Sequence, residues 1–359
     1  MKKIMCLIDG LGPGGAQRQL VGLAALLKDN GYDVLFVWYH KSDFFRGFLE
    51  DNHVNYKHIS ASNKFQKFWG VRKTARSLKP DAIISYIDGP NMAICLLRAL
   101  GLKSTVIVSE RAVLQKINRH QRMKFFLYKW ADYIVSNTQE QTDLINRNFP
   151  SIQNKTLTIR NFVDTLAFKP ADIIKETDDI QMLVIGRLAP QKNLIRFMEA
   201  VKKVLDKGVL LRVKWFGGKS FGHHEYINEV NAKHEEMNFG DNFQILPPTN
   251  DILPEYQSCD VFCLPSLFEG FPNVICEAMS CGKPILCSDV NDNAVIVHDG
   301  DNGYLFKPHS VDDMTEKIIA FCSLSRERRI EMGRSSREIA LTNLSGESFV
   351  EKYIKLIES

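Results

Sequence analysis

Short apolar runs alternate with amphipathic stretches along this chain, and the alternation starts afresh half-way through. No other feature constrains the fold as much. Residues 4–9 are an apolar run, residues 10–15 are glycine-rich, and over residues 16–30 Leu20, Leu23, Ala24 and Leu27 recur at the spacing of one helix face. Gly31 is a natural stop. Further strands are read at residues 33–39, 82–86, 105–109 and 133–136, with helical stretches between them. Such alternation builds a parallel sheet covered on both faces. A polar joint follows at residues 170–180. The pattern then resumes with strands at 181–186, 211–216, 261–265 and 284–287 and a helix at 192–207. An α/β chain of 359 residues with this layout is expected to form two Rossmann-like domains, 1–164 and 165–344. A last helix, 345–359, is expected to pack back on the first.

Hydrophobic residues make up 45% of the chain and charged residues 25%, as in ordinary globular proteins, and no apolar run reaches the ~18 residues of a spanning helix. The charge is unevenly placed. Residues 1–164 hold 24 Lys and Arg against 13 Asp and Glu, whereas residues 165–359 hold 22 against 29. A basic half joined to an acidic one suggests that one domain meets an anionic partner. Two segments of the basic half mix cations with aromatics: 64–73 and 116–130. Peripheral docking on an anionic membrane is the expectation they raise. No nucleic-acid recognition motif accompanies the charge. Five of the eight cysteines fall between Cys259 and Cys287 without the spacing of a zinc site, and read as small buried hydrophobes of a cytoplasmic protein.

Three segments carry the chemistry. In the first, Glu269 and Glu277 flank Gly270-Phe271-Pro272-Asn273-Val274 and the start of an apolar helix. Pro272 suits the first helical position, and the N–H groups that follow suit an anion such as a diphosphate. Glu277, one turn in, suits a ribose diol, and Glu269 suits a sugar; a glutamate near a helix N-terminus is also simply favourable with the helix dipole. In the second, Gly186-Arg187 and Lys192-Asn193 follow the strand that opens the second half. There a guanidinium and an ammonium can neutralise a departing diphosphate. The third is the loop Gly10 to Gly15, leading to Arg18. It is no dinucleotide motif, because Pro13 interrupts it and the next strand ends in Trp38-Tyr39-His40 without a ribose-binding acid.

Together with Gly282-Lys283-Pro284, Ser136-Asn137-Thr138-Gln139 and Asn161-Phe162-Val163-Asp164, these segments resemble the retaining glycosyltransferases of family 4, over nearly the whole chain. The resemblance implies the GT-B fold, with the two domains facing a central cleft. It also implies roles: Arg187 and Lys192 on the donor diphosphate, Glu277 on the ribose, Glu269 on the transferred sugar, and the N–H groups of Asn273 and Val274 on phosphate. Gly14 and Gly15 would let the first domain approach the donor. The expected reaction moves a hexose or N-acetylhexosamine, with retention, from a UDP-sugar to a saccharide or lipid-linked saccharide at the inner face of the plasma membrane, with no cofactor or metal. Relatives often have histidine where this chain has Arg111 in Ser109-Glu110-Arg111, so Arg111 and Arg18 are the acceptor-side candidates. Residues 289–293 stand where relatives often have a glycine pair and a glutamate. Asp299-Gly300-Asp301 imitates a metal-binding Asp-x-Asp but reads as a turn. The alternatives are a GT-B enzyme with a soluble acceptor, a non-catalytic nucleotide-sugar binder and a dinucleotide oxidoreductase.

Overall fold

The computed structural model describes residues 1–114, 117–171, 179–218, 222–249 and 251–359. Most of the joint expected at 170–180 therefore lies outside the described residues, as does Lys116. The chain divides into two compact units: residues 1–162 with 346–359, and residues 163–345.

The first unit runs β1 (Lys3–Leu7), α1 (Gly15–Asp29), β2 (Asp33–Trp38), α2 (Arg46–Asp51), β3 (Asn55–His58), α3 (Lys64–Leu78), β4 (Ala82–Tyr86), α4 (Asp88–Ala99), β5 (Thr105–Glu110), α5 (Arg119–Tyr128), β6 (Tyr133–Ser136), α6 (Gln139–Asn148) and β7 (Thr156–Thr158). The sheet is parallel, in the order β3-β2-β1-β4-β5-β6-β7. Alternate residues of β1 feed opposite layers, as the period of a strand requires. Ile4 and Cys6 join the core under α1, and Met5 and Leu7 join the core under α3, α4 and α5.

The second unit runs β8 (Ile180–Ile185), α7 (Leu194–Asp206), β9 (Leu211–Phe216), α8 (His224–Met237), β10 (Phe243–Leu246), α9 (Leu253–Ser258), β11 (Val261–Leu264), α10 (Asn273–Ser280), β12 (Ile285–Ser288), α11 (Asn293–Ile296), β13 (Gly303–Phe306), α12 (Val311–Cys322) and α13 (Arg326–Asn343). Its sheet is also parallel, in the order β10-β9-β8-β11-β12-β13. The last helix, α14 (Gly346–Glu358), belongs to the first unit. There Phe349, Val350, Tyr353 and Ile357 join the core with Leu20, Leu23 and Leu27 of α1. Phe162 stacks on Phe349 at 4.8 Å, and only a glycine at position 22 leaves room for that ring, since a Cβ there would stand 2.4 Å from Phe162 Cζ.

Strands β3, β7, β10 and β13 were not anticipated from the sequence; all four are sheet edges. The helix expected at 192–207 begins instead at Leu194, because Asn193 is left-handed (φ 60°) and ends a short 3₁₀ turn over Pro190–Lys192. All eight cysteines are free and seven are buried. No helix among the described residues is long and apolar enough to cross a membrane.

Candidate functional site

In each unit the order of strands reverses once, between β1 and β4 and between β8 and β11. Ligands of open parallel sheets bind outside the carboxyl ends of the strands at that reversal. In the second unit the two loops that leave β8 and β11 are fastened to each other. Gln191 Nε2 donates to Phe268 O at 2.8 Å, and the Leu267 N–H donates back to Gln191 O at 2.8 Å. The buried Asn193 donates from Nδ2 to Pro265 O at 3.0 Å and to Pro308 O at 2.7 Å, so one amide ties together the ends of β8, β11 and β13. Behind them Trp215 Nε1 donates to Gly186 O at 2.7 Å.

This frame delivers Lys192 Nζ to within 2.5 Å of Glu269 Oε1. Gly186 is part of the arrangement. A Cβ there would stand 3.2–3.5 Å from the Lys192 methylenes, so the bare Cα lets the lysine stem lie across the strand end. The Glu269 N–H donates to Asn291 Oδ1 at 2.9 Å, which anchors the carboxylate residue from the loop after β12. Asn291 is itself left-handed (φ 49°), a conformation that asparagine tolerates better than most residues. The pair is largely but not wholly buried, with side-chain exposures of 16% for Lys192 and 11% for Glu269. An ammonium has three donors, so Lys192 can hold Glu269 and an incoming anion together. Arg187, on the same loop, is exposed and makes no side-chain hydrogen bond or ion pair among the described residues.

Helix α10 starts one residue later than expected. Pro272 is its N-cap, with an extended ψ of 111°, and Asn273 is the first helical residue. The N–H groups of the first turn of a helix have no intrahelical acceptor, and they carry the positive end of the dipole. Glu277, one turn in, is buried, and its Oε2 lies 2.8 Å from the Tyr256 hydroxyl of α9. That hydroxyl also stands 3.2 Å from Val274 O. Tyr256 gave no sign in the sequence, because the contact joins positions 21 apart through the fold. Gly270 and Phe271 complete the turn between the two glutamates, with Phe271 buried. Lys283, quoted above within a motif, is structural: its ammonium caps Gln257 O and Cys259 O, each at 2.8 Å.

The first unit places its candidates differently. Gly14 is the N-cap of α1 at φ −114°, Gly15 is that helix's first residue, and Arg18 is exposed on its first turn. Arg111, expected to face an acceptor, instead spends its guanidinium on the protein. Nε donates to Ser109 Oγ at 2.8 Å, NH1 to Asn161 Oδ1 at 2.6 Å, and NH2 to the hydroxyls of Tyr86 (2.5 Å) and Tyr353 (2.8 Å). It also lies over the Tyr86 ring at 4.3 Å. It is a strut joining β4, β5 and α14. Asp299 and Asp301 lie before β13, at the opposite end of the sheet from Lys192. Asp299 accepts from the Leu305 N–H and from Lys317, and Asp301 from the Ser335 hydroxyl. Among the described residues no three His, Cys, Asp or Glu side chains form a group that could hold a metal.

Residues 167–339, which include Lys192, Glu269 and Glu277, match the family model of glycosyl transferases group 1. The matched span takes in most of the second unit. The chain as a whole is similar to glycosyltransferases of bacterial polysaccharide biosynthesis. It is 25% identical over 325 residues to the amylovoran biosynthesis glycosyltransferase AmsD of Erwinia amylovora, covering 89% of each chain. It is 27% identical over 292 residues to an α-1,4-N-acetyl-D-galactosaminyltransferase of Campylobacter jejuni whose named acceptor is an undecaprenol-diphosphate-linked saccharide, covering 78% of this chain and 77% of that one. Among solved structures, HepE of Anabaena in complex with UDP superposes with a TM-score of 0.86 over 100% of both chains at 19% identity. That likeness gives this chain the GT-B fold.

Proposed function

We propose that this glycosyltransferase takes a hexose or N-acetylhexosamine from a UDP-linked donor and adds it, with retention and without a metal or other cofactor, to a lipid-linked saccharide at the inner face of the plasma membrane. The observation that carries the donor side is the Lys192–Glu269 pair at the strand reversal of the second unit. Lys192 and the exposed Arg187 offer positive charge to a diphosphate whose negative charge grows as the glycosidic bond breaks, which is where fixed electrostatics contributes most to rate. The first turn of α10 offers N–H groups to the same phosphates. Glu277, oriented by Tyr256, accepts from ribose hydroxyls, and Glu269, oriented by Asn291, accepts from hydroxyls of the transferred sugar. The UDP seen with HepE and the undecaprenol-linked acceptor of the Campylobacter relative support the same reading.

The membrane side rests on α3 and α5, which contain no acidic residue. Both lie on one side of the first unit's sheet. Around them Phe65, Trp69, Met123, Phe126 and Trp130 are exposed. Cations sit among these rings, with Arg72 at 4.6 Å from Trp69 and Lys129 at 3.9 Å from Phe126. Apolar rings with adjacent cations suit an anionic bilayer surface, where each cation contributes about 1 kcal/mol.

The test of the donor site is saturation-transfer NMR against UDP-Glc, UDP-Gal, UDP-GlcNAc, UDP-GalNAc and GDP-Man, repeated with Arg187→Ala. One UDP-sugar is expected to give signal that the variant loses. Silence from all five sinks the proposed donor. For the membrane, reversing Lys64, Lys67, Arg72 and Lys73 to Glu is expected to abolish binding to phosphatidylglycerol liposomes, and unchanged binding removes the membrane from the proposal.

A further inference from the structure

The first unit has its own strand reversal, between β1 and β4, where Leu7 pairs with Ser85. Asp88 follows directly, opening α4. It is the middle member of a polar chain that runs from core to surface. Glu110, the last residue of β5, and Lys124 of α5 are each 1% exposed and pair at 2.6 Å. Lys124 Nζ also donates to Asp88 Oδ1 at 3.0 Å. Asp88 Oδ2 lies 3.4 Å from His120 Nε2, and these two side chains are 36% and 48% exposed. The Tyr128 hydroxyl donates to the other oxygen of Glu110. Asn91 bridges Tyr128 and Ser109 O at 2.9 Å each, and accepts from Ser85.

Stability alone explains this arrangement poorly. Burying an ammonium with a carboxylate is often no better for stability than well-packed apolar residues of similar volume. The backbone adds a second oddity. Ile87, just before Asp88, is β-branched and sits at φ 75°, a strained conformation that persists only where the surroundings enforce it. Strained backbone and buried charge at the carboxyl ends of strands are marks of a ligand site. The neighbouring guanidinium of Arg111 is already committed to four protein oxygens. The polar groups that reach solvent along this chain are therefore a carboxylate and an imidazole.

We propose that Asp88 and His120 form the subsite that grips hydroxyl groups of the acceptor saccharide, an inference that rests on the glycosyltransferase reading above. Asp88 accepts from a sugar hydroxyl. His120, in the tautomer that carries its proton on Nε2, accepts another through Nδ1. Lys124 and Glu110 are positioning residues: they hold the carboxylate at a fixed place on the rim, so that it binds a diol without reorganising.

The test titrates the ¹⁵N-labelled full-length protein separately with UDP and with the methyl α-glycosides of glucose, galactose, N-acetylglucosamine and N-acetylgalactosamine. At least one glycoside is expected to shift the amides of Gly89, Asn91 and residues 119–122. Asp88→Asn, which keeps the side-chain shape, and His120→Ala are each expected to weaken that glycoside at least tenfold while leaving UDP affinity within twofold. Lys124→Met is expected to weaken the glycoside likewise, again with UDP binding retained, which a merely unfolded variant would not show. The proposal is overturned if no glycoside perturbs these amides, or if Asp88→Asn and His120→Ala bind it as the parent does. A parent that binds a glycoside here but not UDP would instead sink the donor reading and leave this subsite standing.

Discussion

Lys192→Met separates what the ammonium does for the fold from what it does for the ligand. At 2.5 Å and an effective dielectric of about 20, the gross attraction between Lys192 and Glu269 is about 7 kcal/mol. Most of that is offset by taking both charges out of water. Removing the lysine alone leaves a carboxylate whose side chain is only 11% exposed without its countercharge. Losing one partner of a fully buried pair costs about 3–5 kcal/mol, and the residual exposure here argues for the lower end, about 3 kcal/mol. For a unit of this size that lowers the melting temperature by about 6–12 °C. Lys192→Met with Glu269→Gln removes both charges and is expected to recover all but about 1 kcal/mol. Transfer should not recover with it. Both variants are expected to lose at least about 100-fold in kcat/KM, because the charge that meets the departing diphosphate is gone in each. The assay is calorimetric melting beside release of UDP with a coupled enzyme. Turnover of Lys192→Met within twofold of the parent, or turnover that returns with stability in the double variant, would refute the reasoning.

Tyr256→Phe removes the hydroxyl that orients Glu277 and is expected to raise the KM for the donor about fivefold to tenfold, readable in initial rates, while the fold survives. Gly217→Ala places a Cβ 1.8 Å from Gly186 O, a backbone atom that cannot step aside, and is expected to destabilise the second unit by more than about 3 kcal/mol in a melting scan. Arg111→Met removes the donor shared by Ser109, Asn161, Tyr86 and Tyr353 and is expected to cost the first unit about 2–4 kcal/mol; a melting curve unchanged within 1 °C would show that the strut is idle. Burial pushes the thiols of Cys6, Cys95, Cys259 and Cys281 up to about 12, so the native protein is expected to resist iodoacetamide at pH 8 at these four positions and to react at all of them in urea, as intact mass spectrometry would count.

How much of this was legible in the chain varies with burial. The central strands could be read because they are covered on both faces and must be apolar throughout: β4 (Ala82–Tyr86) is buried along its whole length, and its bounds agree with the reading from sequence. The edge strands could not. β3 is Asn-Tyr-Lys-His, exposed at every position, and β7 is only Thr-Leu-Thr. A strand paired on one side alone carries little apolar signature, and its identity is settled by the neighbour it pairs with. The turn at Asn193 follows the same logic, since a local helical pattern across 192–207 is overruled by an amide that reaches Pro265 and Pro308.

The sequence by itself determined the two α/β halves, the restart between them, and the loops that carry Gly186, Arg187, Lys192, Glu269 and Glu277, because periodicity and loop chemistry are local. The tertiary structure decided which charges meet. It set Lys192 against Glu269, 77 positions apart. It turned Arg111 inward onto Tyr353, 242 positions away, and left Asp88 and His120 at the rim. Spacing along the chain carries no information about such pairs, since whether a charge serves a ligand or the fold depends on the oxygens that the packed sheets bring beside it.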